Sequence, residues 1–499
     1  MSAPTSPMRR IRPWLAGGLL AVAACSAMAQ GSLPPGVAGA LQRAGLPASA
    51  FSALVVPVAP PDAPERLRHR ADEPVNPASV MKLVTTYAAI DLLGPDFTWR
   101  TRFYTDAPPS AGALRGNLYI RGGGDPKLVL ERIQDAFLAL HDKGVQVVLG
   151  DIVLDHSAFE VPSHDPGEFD GEGLRPYNAS PDALLVNFKS VILSFQPDPA
   201  AGVAVVRSEP PMAGLAIDAT VPLSKAGCGD WRGALRARFD DANTVRFEGR
   251  YPQSCGEKVW PVAYQDPASY AARAIEGLWR ASGGALTGTV RTGLTPPAAV
   301  LLHEAQSLPL SDIITDVNQW SNNVMAQQVF LTLGRLSPAR VDAATAPRGP
   351  LTPVRTGRFE RSREVVARWW KTTFGIRPTP PVLDNGAGLS RDERITPDAL
   401  AHLLRHAARH PNGERFVQSL SVAGVNGTAA RMARGADSAA RGNAWLKTGT
   451  LRDVVGVAGY VNAQNGQRYA VVGFINHPNA GAGRPALDAL VEWTASLRD

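Results

Sequence analysis

The two ends of this chain read as complementary parts of one sheet, and that pairing constrains the fold more than anything else in it. Near the start, residues 36–45 have helical spacing, Phe51–Val58 reads as a strand, and Glu65–Glu73 reads as its hairpin partner beyond the Pro60-Pro61 turn. A helix is predicted from Pro77 to about Leu93, stopped by Gly94-Pro95. Near the end, strand runs at Ala444–Thr448, Val454–Asn462 and Arg468–Asn476 lead into a closing helix over Pro485–Leu497. Together they predict an α/β (α+β) domain, an antiparallel sheet flanked by helices on both faces and assembled from both termini. The middle has a different character. Short β-rich runs (Trp99–Thr105, Asn117–Arg121, Val145–Leu154, Ala183–Phe195, Gly202–Glu209, Leu235–Phe239, Thr244–Tyr251) alternate with Pro/Gly turns and read as an insertion. Helices return at about Leu310–Leu333, Arg361–Thr373 and Pro397–His410.

Composition narrows the function classes. With 499 residues, 44% of them hydrophobic, the chain has material for several cores, and Gly plus Pro stay below the roughly 25–30% of low-complexity sequences. The net charge of +6 includes Arg9, Arg10 and Arg12 of the N-terminal segment, so little excess is left to argue for nucleic acid. Only eight of the 51 basic residues are Lys, which makes each lysine informative.

Those three arginines precede an apolar run from Trp14 to Ala24, and Ala27-Met28-Ala29 supplies a small-residue cleavage site. Residues 1–29 are therefore predicted to be a cleaved export signal, placing the mature chain in the periplasm. Val22-Ala23-Ala24-Cys25 offers the alternative of a lipid-anchored Cys25. The apolar run is too short to span a bilayer, and no other stretch reaches 18 apolar residues. After cleavage only Cys228 and Cys255 remain. In an exported chain the pair reads as one disulfide, two buried thiols being the alternative.

Three short motifs gain meaning from one another. Ser79-Val80-Met81-Lys82 sits at the start of the predicted Asn76–Leu93 helix, where Asn76 can cap and Pro77 suits the first position. Residues three apart share a helix face, so the Lys82 amine can reach the Ser79 hydroxyl and serve as its base. Ser321-Asn322-Asn323 supplies a second hydroxyl and an amide, able to relay a proton and hold a substrate amide. Lys447-Thr448-Gly449-Thr450 ends a strand; Lys447 and Thr448 suit a carboxylate, Gly449 lets substrate lie flush, and the Thr450 and Ser79 N–H groups could face an oxyanion. Each alone has a bland explanation as a cap, a turn or a solvated lysine. Jointly, and in this order, they match the triplet of penicillin-binding proteins and class A β-lactamases, with Asn322 where that pattern has Asp.

On these residues the chain resembles the three-domain, low-molecular-mass class C penicillin-binding proteins, D-alanyl-D-alanine carboxypeptidase/endopeptidases. Such proteins carry extra domains between the first two motifs, here 242 residues apart. Further runs share the resemblance: Gly122-Gly123-Gly124-Asp125-Pro126, Tyr177-Asn178-Ala179-Ser180-Pro181 with Asn187, Asp384-Asn385-Gly386-Ala387-Gly388-Leu389-Ser390-Arg391, and Gly424-Val425-Asn426-Gly427-Thr428. It implies a DD-peptidase domain from 30–100 and 301–499, a β-rich inserted domain from 101–125 and 185–300, and a second nested unit at 126–184. It implies Ser79 as acyl-enzyme nucleophile, Lys82 as general base, Ser321 as proton relay and Asn323 as substrate-amide ligand. Lys447 and Thr448 would bind the terminal carboxylate, a charged Lys447 would help keep Lys82 neutral by repulsion, and Asn322 would point away from the site. The implied partners are peptidoglycan peptides ending in D-Ala-D-Ala, cross-linked peptides, and β-lactams as covalent inhibitors. Neither metal nor cofactor is expected. A β-lactamase and a non-catalytic peptidoglycan- or penicillin-binding sensor are the rival readings. No Tyr-x-Asn in the middle motif supports the first, and intact Ser79, Lys82 and Lys447 argue against the second. His402, His406 and His410 have metal-pair spacing, but no carboxylate joins that face and arginines flank it. Gly122–Gly124 fits no phosphate-loop pattern and is expected to be a tight turn.

Overall fold

A computed structural model describes Met1 and residues 32–163, 165–337, 341, 354–435 and 437–498. The expected export signal and Cys25 lie outside the described residues. The elements of the first unit are α1 (Pro35–Arg43), β1 (Phe51–Pro57), β2 (Leu67–His69), α2 (Lys82–Leu93), α3 (Leu310–Trp320), α4 (Asn323–Leu333), α5 (Phe359–Phe374), α6 (Pro397–Arg409), β3 (Ser421–Val422), β4 (Ala444–Leu451), β5 (Val454–Asn462), β6 (Arg468–Asn476) and α7 (Arg484–Ala495).

The six strands pair antiparallel in the order β3-β4-β5-β6-β1-β2, so the first strand in sequence closes against the last, Phe51 opposite Ile475 and Pro57 opposite Tyr469. Helices on both faces explain why these strands are apolar almost throughout. Leu54 and Val56 of β1, Ala458 and Tyr460 of β5, and Val472 and Phe474 of β6 join the core that contains α2 to α6. The alternate residues Phe51, Ala53, Val55, Val457, Val471 and Ile475 join the core under α1 and α7. Eleven of the twelve residues of α2 are buried, Lys82 among them; it is the central helix, buried on every side. No helix among the described residues is long and apolar enough to cross a membrane.

Several expected elements differ; Val145–Leu154, for one, forms two short strands, Val147–Val148 and Ile152–Asp155. The Glu65–Glu73 strand shrinks to β2. The single helix expected over Leu310–Leu333 is broken into α3 and α4 at Ser321. Of the strand expected at Ala183–Phe195, only the part from Ser190 is extended, because Asn187, Phe188 and Lys189 take left-handed backbone conformations.

The middle of the chain forms two five-stranded sheets and two three-stranded ones over a continuous core. Strand pairing there crosses the boundaries expected from sequence. Ile152–Asp155, placed in a separate 126–184 unit, is hydrogen-bonded between Leu118–Arg121 and Val290–Thr292, and Arg100–Thr105 joins Leu118–Arg121 to Val300–Gln306. Cys228 and Cys255 are bridged, with Cα atoms 4.7 Å apart. The insert rests on α3 and α4 through Lys127 Nζ to Asp316 at 2.6 Å and the Asp182 N–H to Gln328 Oε1 at 2.9 Å.

Candidate active site

Ser79 lies just before α2, in a 3₁₀ turn over Ala78–Met81. Pro77 rather than Asn76 takes the cap position of this turn, and Asn76 instead accepts the Ala78 N–H on its Oδ1 at 2.8 Å. Asn476, the last residue of β6, accepts the Asn76 N–H at 2.9 Å and donates to the Asn76 carbonyl at 3.0 Å, which ties the turn to the sheet. On β4, a Cβ added at Gly449 would stand 2.6 Å from the Pro77 carbonyl and 3.1 Å from the Ser79 nitrogen. Glycine is thus required by the close approach of two backbones, a reason different from the flush substrate binding expected.

Lys82 is fully buried with its Nζ 3.0 Å from Ser79 Oγ and 2.7 Å from Asn323 Oδ1, and it also bonds the Ala387 carbonyl. A neutral amine matches these three partners: two N–H groups donate to Asn323 and Ala387, leaving the lone pair for the Ser79 hydroxyl proton. Burial pushes the Lys82 amine down to about 7, against the attraction of Glu393. Asn323 is held from its other end, Nδ2 donating to the Tyr177 carbonyl of the insert at 3.1 Å.

Lys447 is also fully buried, and its Nζ donates to Ser321 Oγ at 2.9 Å and to the Thr448 carbonyl at 2.7 Å. Burial, then repulsion from Lys82, depresses its pKa well below the ordinary lysine range. The expected ordering is thereby revised: burial is the main cause of Lys82's low pKa, and the repulsion weighs on Lys447. Ser321 reaches Lys447 because its backbone is left-handed (φ 58°, ψ 34°), turning the chain between α3 and α4. Asn322 faces away, its Oδ1 capping α4 by accepting the Met325 N–H at 3.0 Å. Thr450 is exposed at the strand end, where Arg484 Nη2 donates to its Oγ1 at 3.3 Å.

Sequence reasoning missed Glu393. It is fully buried, and its Oε1 accepts the N–H groups of Asp384, Asn385 and Gly386 at 2.8–3.1 Å, while Oε2 has no partner. Burial pushes its carboxyl up to about 7, against those hydrogen bonds and Lys82. The loop that it folds presents Gly386's carbonyl to Thr85 and Ala387's to Lys82. The only sequence signal was an acid two residues after the Leu389-Ser390-Arg391 run, indistinguishable there from a solvated charge. His402, His406 and His410 bond the Asp398 carbonyl, the Tyr87 hydroxyl and the Asp91 carboxylate, so carboxylates do reach this face, contrary to expectation. The glycines at 122–124 pack against the Ala183 carbonyl, the Arg100 carbonyl and the Phe159 ring.

Residues 40–497 match the D-Ala-D-Ala carboxypeptidase 3 (S13) family. A curated relative, the D-alanyl-D-alanine carboxypeptidase of Actinomadura sp. (strain R39), is 27% identical over 412 residues, 79% of this chain and 72% of that protein. Among solved structures, penicillin binding protein 4 (dacB) from Haemophilus influenzae aligns over 92% of this chain and 99% of its own, at 22% identity and a TM-score of 0.71. The same protein complexed with a β-lactam aligns over 91% and 97%, at 22% identity and a TM-score of 0.66. A predatory endopeptidase from Bdellovibrio bacteriovorus aligns over 90% and 94%, at 14% identity and a TM-score of 0.50.

Proposed function

The chain belongs to the D-Ala-D-Ala carboxypeptidase 3 (S13) family, and we propose that it cleaves peptidoglycan stem peptides and cross-links outside the cytoplasm through an acyl-Ser79 intermediate. The observation that carries the reading is the buried Lys82 amine, 3.0 Å from Ser79 Oγ and poised near neutrality. Ser79 Oγ attacks the carbonyl of the penultimate D-Ala while its proton passes to Lys82. The C–N bond then breaks, and the departing amine takes a proton by way of Ser321. Water attacks the ester next, with Lys82 again as base, and Ser79 is released. The Ser79 and Thr450 N–H groups hold the oxyanion, supported by the close approach at Gly449. Lys447, Thr448 and Thr450 hold the carboxylate of the departing residue, which restores charge to Lys447 by attraction. Asn323 positions the substrate amide as well as Lys82. β-Lactams acylate the same Ser79, as the β-lactam complex of the Haemophilus protein supports. The sequence of residues 1–29 supports export to the periplasm.

Fluorescent penicillin should label the protein at Ser79, identified by mass spectrometry of the acylated peptide, and Ser79→Ala should abolish that label. A label on another serine overturns the assignment. Turnover of a D-Ala-D-Ala peptide separates the peptidase from a slow β-lactamase.

A further inference from the structure

A scissile amide has two arms, and only the acyl arm stays on Ser79. The carboxylate-binding end of β4, as read above, fixes where the departing residue sits, so anything else attached to that residue must lie beside Thr448–Thr450. A cavity of about 510 Å³ opens there, within the roughly 300–1,000 Å³ range of ligand pockets and far larger than the methyl group of a free alanine requires. Its wall has a definite chemistry. Trp320, at the end of α3 and next to Ser321 in sequence, is 65% exposed and lines this cavity. Leu487 adds apolar floor, and the guanidinium groups of Arg431 and Arg484 stand exposed at the rim, Arg484 touching Thr450. The single carboxylate lining it, Asp488, follows Arg484 by one helical turn and interacts with both Arg484 and Arg434. The cavity therefore offers apolar surface and two cationic groups, one of them beside Thr450.

We propose that this cavity is a leaving-group subsite, which takes the acidic peptide attached to the departing residue of a cross-link and so equips the chain for endopeptidase cleavage. The inference rests on the reading given under Proposed function. Trp320 and Leu487 cover the aliphatic part of the leaving group, and Arg431 and Arg484 pair with its carboxylates.

The test uses two synthetic substrates with the same acyl arm, one releasing free D-Ala and one releasing an acidic peptide. Its readout is the ratio of their kcat/KM values. In Arg431→Ala/Arg484→Ala the ratio of extended to short substrate should fall about tenfold, the scale of one lost charge-assisted hydrogen bond. Added salt should lower the ratio in the wild type and leave it nearly flat in the variant. Trp320→Ala should lower the ratio without changing its salt dependence. Both arginines are exposed, so folding is not at stake, and circular dichroism checks it. A ratio unmoved by the double variant, or a wild type that cleaves only the short substrate, overturns the subsite while leaving the peptidase reading intact. A wild type that cleaves neither and takes no penicillin at Ser79 overturns the peptidase reading, and this inference with it.

Discussion

Burial strips the Lys82 ammonium of its water, and that loss outweighs the attraction of Glu393, which brings the amine to about 7. A general base works only when unprotonated, so the active fraction grows as pH rises through that value and is lost as pH falls through it. Acylation by a β-lactam should therefore rise across about pH 6 to 8, measured by stopped-flow; a flat profile there would contradict Lys82 as base. Glu393 works on Lys82 in two ways, by its charge and by the loop that it folds. Glu393→Gln removes a negative charge that favours the ammonium, so the acid limb of the same profile should move to lower pH. Glu393→Ala leaves three buried N–H groups without their acceptor and should cost about 1–3 kcal/mol in urea unfolding, besides slowing acylation. A Gln variant whose limb stays in place would limit Glu393 to the loop.

At the scale of elements, the break between α3 and α4 sets the site. An unbroken helix over Leu310–Leu333 would carry Ser321 and Asn323 about 200° apart around one axis, on nearly opposite faces. The left-handed turn at Ser321 instead aims its hydroxyl at Lys447, while Asn323, at the head of the new helix, meets Lys82. Asn322 makes the restart possible by capping α4. Asn322→Ala should thus lower stability by about 1 kcal/mol, and Asn322→Asp, an equally good cap, should keep both stability and acylation rate. Equal loss in the Ala and Asp variants would show that the side chain does something other than cap.

The whole molecule joins a catalytic unit built from both termini to an insert with its own core, and the Cys228–Cys255 bridge belongs to the insert. It closes a loop of 27 residues, worth about 3–4 kcal/mol by loop entropy. Reduction should lower the calorimetric melting temperature far more than the acylation rate, and an equal loss of both would mean that the insert's stability governs the site. The insert does reach the site at one point, the Tyr177 carbonyl on Asn323. What the sequence determined by itself was whatever local pattern controls: the apolar runs of β1, β5 and β6, the helix α2, and the spacing of Ser79 and Lys82 along one short segment. Lys447 and Ser321 were legible as motif letters, because a lysine beside Thr-Gly at a strand end is rare in a chain with eight lysines. Tertiary structure alone decided the rest. The pKa of Lys82 depends on burial by residues hundreds of positions away, Glu393 becomes a working group only when folded beneath the 384–387 loop, and the insert's strands pair across both limits of the 126–184 unit that the resemblance implied. Periodicity registers which face of an element is apolar; it carries no record of which distant backbone will donate the hydrogen bonds or remove the water.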